Sequence, residues 1–147
     1  MPMTAKEYLR NIRKLDLEIE TLRNQIKLLR AEAEGLKSME LSDMPRGGKS
    51  PDMADIVAEV ADLQMLCAQY VSELVAKKQE AMNSIMRIEG SELRTVLLLR
   101  YLQCMEWDDI AERMQYSART IFSLHGAALT EFEQAYEQIA VNCSNLQ

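Results

Sequence analysis

Apolar side chains recur along the first quarter of the chain at Tyr8, Ile12, Leu15, Ile19, Leu22, Ile26, Leu29, Ala33 and Leu36, at alternating steps of four and three. This is a seven-residue repeat held over about four repeats, the pattern of a helix that lays one narrow seam against another helix. Thr4 and Glu7 fit a capping box ahead of it, and Met3 with Tyr8 fits a hydrophobic staple. The spacing predicts a helix of roughly 33 residues, about 50 Å long. Residues 38–50, which hold Pro45 and the pair Gly47–Gly48, break the pattern. Ser50 and Pro51 then supply a cap and a proline suited to a first helical turn.

A second stripe follows at Met53, Ile56, Val60, Leu63, Cys67, Tyr70, Leu74, Ala81, Ile85 and Ile88, widened by Val57, Leu66, Val71 and Val75. Gly90 is expected to end this helix and Ser91 to cap the next. Two long helices of matched length across a short break predict an antiparallel, coiled-coil-like hairpin over residues 1–90. In the first helix Ile occupies the a positions and Leu the d positions, a choice that favours two-stranded association. Ile12, Leu15, Ile19, Leu22, Ile26 and Leu29 are therefore the predicted oligomerisation seam of a homodimer. The alternative is that they only zip the hairpin within one chain.

Beyond residue 91 the period stays helical while the segments shorten. Ile110, Ala111, Met114, Tyr116, Ile121 and Leu124 take the apolar positions of two short helices joined by a turn. Ala111 sits where the helices would cross, a place that needs a small side chain. Ser117 is placed to cap the second helix. Its opposite face carries Arg119, Thr120, Phe122 and Ser123, with His125 a turn later, and could enter a DNA major groove. A compact helical corner with no nucleic-acid role is the plainer alternative. Leu129, Phe132, Tyr136, Ile139 and Cys143 continue the stripe, and Gly126 interrupts it, allowing either a close approach or a bend. The domain reading is thus 1–90 hairpin, 91–141 helix-turn-helix module and 142–147 tail.

The segment resembles region 4 of bacterial sigma factors. Arg100–Tyr101, the run Trp107–Asp108–Asp109–Ile110–Ala111, and Ser117 with Thr120–Ile121 match its helix, turn and recognition-helix pattern. The chain as a whole, from Met3-Thr4-Ala5-Lys6-Glu7-Tyr8-Leu9 onward, is similar to a family of small phage and prophage proteins of gram-positive bacteria described as transcription regulators. The resemblance implies a helical N-terminal part joined to a sigma-like module that meets promoter DNA, RNA polymerase or both. Two positions depart from the pattern. Arg is usual near 123 and 127, where this chain has Ser123 and Ala127, and Gln115 stands at the turn position usually taken by Gly.

Charge sharpens this picture. Net charge is −6, distributed as +2 over residues 1–50, −4 over 51–90 and −4 over 91–147. Arg94, Arg100, Arg113 and Arg119 are the permanent cations of the last segment. Two or three phosphate contacts would give a salt slope of only about −2 to −3 per protomer, so a dimer or a tether to polymerase is expected. Cys67, Cys104 and Cys143 lie far apart with a single His in the chain, so free thiols, no metal and no other cofactor are expected in a reducing cytoplasm. The first residues lack the apolar core of a secretion signal, and no apolar run approaches the ~20 residues of a membrane span.

The sequence holds no phosphate loop, dinucleotide turn or nucleophile elbow, so neither an enzyme nor a small-molecule substrate is expected. Asp108 and Asp109 are adjacent and would point about 100° apart on a helix, which suits a first turn and not a catalytic pair. The leading expectation is an all-α transcription regulator acting through a helix-turn-helix. The alternative is a protein-interaction module that docks on polymerase or a sigma-binding surface without reading DNA.

Overall fold

The computed structural model describes residues 3–40 and 53–145. Among them the chain is all-α: α1 (Ala5–Glu40), α2 (Met53–Ile85), α3 (Ser91–Leu97) running into a π-helical turn (Leu98–Leu102), α4 (Trp107–Met114) and α5 (Ala118–Ser144). None of these helices is long and apolar enough to cross a membrane. The Ser50–Pro51 cap and the glycine pair of the expected break fall outside the described residues.

The capping box forms as the sequence requires. Thr4 N–H donates to Glu7 Oε2 at 2.8 Å, and Glu7 N–H donates to Thr4 Oγ1 at 3.2 Å. Those bonds hold the Glu7 carboxyl below the usual carboxylate range. Met3 is half exposed and Tyr8 is buried. Helix α2 stops at Ile85, three residues short of the last stripe position. The N-cap of α3 is Gly90, without a side-chain bond, so Ser91 is the first helical residue and not the cap.

The chain divides into two compact units, Met1–Asp16 with Leu74–Gln147, and Leu17–Glu73. In the first, Leu9, Ile12, Ile85, Val96, Leu97, Ile110, Ile121 and Phe132 are fully enclosed. Helices α3 and α4 both pack on α5. Polar ties bind the unit's sequence-distant parts. The Tyr8 hydroxyl donates to Lys77 O and to Glu80 Oε2, each at 3.0 Å, and burial with that carboxylate pushes its ionisation upward. Lys78 Nζ donates to Asp16 Oδ2 and to the Leu102 carbonyl, each at 3.0 Å, so it caps the end of the π-helical turn. Cys104, with φ 57°, directs its thiol to Asp16 Oδ2 at 3.0 Å. Burial and that carboxylate push the Cys104 thiol up to about 11, which keeps it protonated. All three cysteines are free.

In Leu17–Glu73 the seam residues Ile19, Ile26 and Leu29 of α1 are buried, as are Ile56 and Cys67 of α2. Arg23, Ile26 and Arg30 from α1 and Gln64, Cys67, Ala68 and Val71 from α2 line one open groove of about 560 Å³.

The α1 seam is covered within a single chain, the second of the two alternatives its periodicity allows. Ile12, Leu15, Ile19, Ile26 and Leu29 are buried and Leu22 is half-buried within a single chain. In the apolar stripe of α2, Ile56, Cys67, Leu74, Ala81 and Ile85 are also buried.

Candidate nucleic-acid interface

Helix α4, the turn Gln115–Ser117 and the start of α5 are held by one apolar cluster. Val96, Leu99, Ile110 and Ile121 are its buried centre, and Met105, Trp107, Ala111, Met114 and Leu124 pack against it. Small Ala111 and the pair Ile121/Leu124, three apart on the inner face of α5, let the two helices close on α3. Asp108 and Asp109 occupy the first turn of α4, where acidic groups meet the positive end of the helix dipole.

Gln115 ends α4 in the left-handed region, with φ 59° and ψ 40°. Tyr116 N–H donates to Ala111 O at 3.1 Å and Gln115 N–H to Glu112 O at 3.2 Å, the paired bonds of a Schellman C-cap. A side chain in that conformation costs roughly 1 kcal/mol relative to glycine. The Tyr116 hydroxyl donates to Glu92 of α3, and the residue is 38 % exposed and outside the buried core. Ser117 then caps α5, its Oγ accepting from Thr120 N–H at 3.2 Å.

The six predicted contact residues separate. Arg119 and Ser123 are exposed on the outer face of α5, and Arg119 makes no hydrogen bond or ion pair among the described residues. Phe122 shares that side at 52 % exposure, with its ring 5.2 Å from that of Trp107. Ser117 and Thr120 are at the helix start, their hydroxyl oxygens 2.9 Å apart and committed to the cap. A Cβ at Gly126 would meet nothing within 4 Å, so this glycine accommodates no close approach inside the chain.

His125 is half-buried and turns toward the π-helical turn. Its Nε2 is 2.7 Å from the Tyr101 hydroxyl, and its ring centroid is 4.6 Å from that of Trp107. Burial foremost, then the charges of Lys6, Arg100 and Arg10, pull its pKa down to about 4, so the ring is neutral at pH 7. A neutral imidazole, half-buried as this one is, offers no cation to a phosphate. Its physical role is to join α5 to the π-helical turn.

The surrounding cluster was not foreseen. Arg100, in the π-helical turn, lies over the Trp107 ring at 4.2 Å and donates to Met105 O at 3.0 Å. Burial, then the nearby Arg13, pull its pKa down, against the pull of Glu106. Glu106 pairs with Arg13 of α1 at 2.7 Å and with Arg100 at 3.5 Å, and the Arg13 bond holds its carboxyl below the usual range. Tyr8 of α1 stacks near Tyr136 of α5 with centroids 5.1 Å apart. The first turns of α1 thus border the α4–α5 corner. The one signal in the sequence was a basic spacing at Lys6, Arg10, Arg13 and Lys14, on the side of α1 away from its apolar seam.

Residues 36–133, about two thirds of the chain, match the model of DUF1492, a protein family of unknown function, and the chain belongs to that family. The matched span takes in α2, α3, α4 and α5 as far as Glu133. No curated protein and no solved structure matches the chain.

Proposed function

We propose that α4, the turn and α5 form a helix-turn-helix of the sigma region 4 kind, carried on an antiparallel hairpin of α1 and α2, in a phage-type transcription regulator that engages promoter DNA. The observation that carries this reading is the outer face of α5. It begins at a serine cap, turns Ile121 and Leu124 inward, and leaves Arg119 and Ser123 free for a major groove. Arg119 is the cation best placed to read a guanine edge or fix a phosphate. Since few cations surround it, the protein works as a homodimer, joined outside the α1 seam, and through a shared contact with RNA polymerase.

A second reading rests on Phe122. A half-exposed phenylalanine against Trp107, in a module whose α4 carries the acidic Asp108, Asp109 and Glu112, suits a protein partner better than a phosphate backbone. In it the module docks on polymerase without reading sequence.

Selection of genomic fragments at two salt concentrations tests the two. DNA reading predicts an enriched sequence, with half-sites about one helical turn apart if the dimer holds. Arg119→Ala then costs about 1–3 kcal/mol at that site and far less on random DNA. Enrichment of nothing at low salt, with polymerase capture lost in Phe122→Ala, overturns DNA reading in favour of docking.

A further inference from the structure

The C-terminal segment 91–147 is acidic, with a net charge of −4, and the fold brings cations to it from the other end of the chain. Lys6, Arg10, Arg13 and Lys14 recur at steps of four, three and one, which puts all four on one side of α1. The opposite side, Ala5, Tyr8, Leu9, Ile12 and Leu15, is buried. Arg13 is anchored to Glu106 at the start of α4, and Tyr8 to Tyr136 of α5. Lys6, Arg10 and Lys14 are exposed and make no hydrogen bond or ion pair among the described residues. All lie in the unit that contains α4 and α5.

We infer that Lys6, Arg10 and Lys14 form a phosphate-contacting rail on the first turns of α1 that flanks the α5 reading face and engages the backbone of the same DNA duplex. This rests on the DNA-reading function proposed above. The chemistry fits. Three unpaired cations, spaced about 6 Å apart along a fixed helix, follow a line of phosphodiesters whose charges repeat every few ångströms. A rail contacting only backbone adds affinity and orientation but no sequence preference. It also supplies positive charge beside a segment whose own net charge is −4.

The test compares three full-length proteins on a random-sequence duplex and on the selected site, across a salt series. The first carries Lys6→Gln, Arg10→Gln and Lys14→Gln. The second, a charge-matched control in the other unit, carries Arg23→Gln, Lys27→Gln and Arg30→Gln. The third keeps the charge as Lys6→Arg, Arg10→Lys and Lys14→Arg. The rail predicts that the first variant weakens both duplexes by the same factor and lowers the salt slope by about two to three. The control and the charge-keeping variant stay near wild type. Circular dichroism should match throughout, because the altered side chains are exposed. Equal losses in the first variant and the control would reduce the effect to net charge and overturn the rail. A first variant that binds like wild type would overturn it while leaving the DNA-reading function standing. A wild type that binds neither duplex would remove both.

Discussion

The two compact units are built from different chemistry. Leu17–Glu73 rests on an aliphatic seam, Ile19, Ile26 and Leu29 with Ile56 and Cys67, and holds Tyr70 as its sole aromatic residue. It leaves Leu17, Leu28, Val57 and Met65 about 60 % exposed. The other unit holds the remaining aromatic residues, and ties them with Tyr101–His125, Arg100–Trp107, Tyr8–Glu80 and Arg13–Glu106. An aliphatic seam tolerates change so long as volume is kept, whereas a polar–aromatic network fixes one arrangement because each group needs its own partner. The candidate interface is in the unit with the stricter chemistry.

The largest effect should come from removing the centre of that unit. Phe132 is fully buried, with its ring 5.9 Å from that of Tyr136. Phe132→Ala should cost about 3–5 kcal/mol through lost burial and the cavity left behind. Trp107 is the only tryptophan, so its fluorescence reports on this unit alone, while helical circular dichroism reports on both. In urea the variant should lose its tryptophan signal well before its full helical signal. Coincident loss of both, at every denaturant concentration, would show one cooperative body and erase the contrast.

The same contrast decides what was legible in the sequence. The seam of α1 could be read directly, because a helix repeats its faces locally and Ile12 through Leu29 announce the period. The Thr4–Glu7 box and the Ser117 cap were equally local, each set by residues three apart. Arg13 meeting Glu106 was not, because the pair is separated by 93 residues and neither neighbourhood mentions the other. The inward turn of His125 depends on Tyr101 and Trp107 arriving from other elements. The π-helical turn that presents Arg100 and Tyr101 has no distinguishing residue in its Leu-rich run. The covering of that seam is a related case. Periodicity says that a face is covered but not by which chain.

The next prediction probes the network at its titratable point. His125 has its folded pKa lowered to about 4 from an ordinary 6.5. The unfolded chain therefore binds the proton first. Stability from the neutral ring is fully present above pH 6.5 and is lost as pH falls toward 4. Because the chain has one histidine, a decline in Tm between pH 6.5 and 5 is attributable to it, ahead of the carboxylates held low at Glu7 and Glu106. His125→Gln should lower Tm at pH 7 and flatten that decline. A wild-type Tm constant across this window would mean that the ring is solvated and the network loose.

The smallest effect concerns the turn, where the interface unit departs from the local rule. Gln115 holds a left-handed conformation at a helix end where glycine would hold it without strain. Gln115→Gly should relieve that strain, and the gain is reduced because glycine also frees the unfolded chain. The net change expected is a stabilisation of about 0.5–1 kcal/mol, read as a higher urea midpoint of the tryptophan transition at unchanged slope. The Gln115 side chain is exposed, and the cap bonds Tyr116–Ala111 and Gln115–Glu112 are made by the backbone, so the substitution removes no contact that holds the corner. The helical signal of Leu17–Glu73 should not respond, which makes this variant a gentle counterpart to Phe132→Ala. If Gln115→Gly instead destabilised the corner, the glutamine would have to be holding the turn through its side chain, and the strain assigned to it would be misplaced.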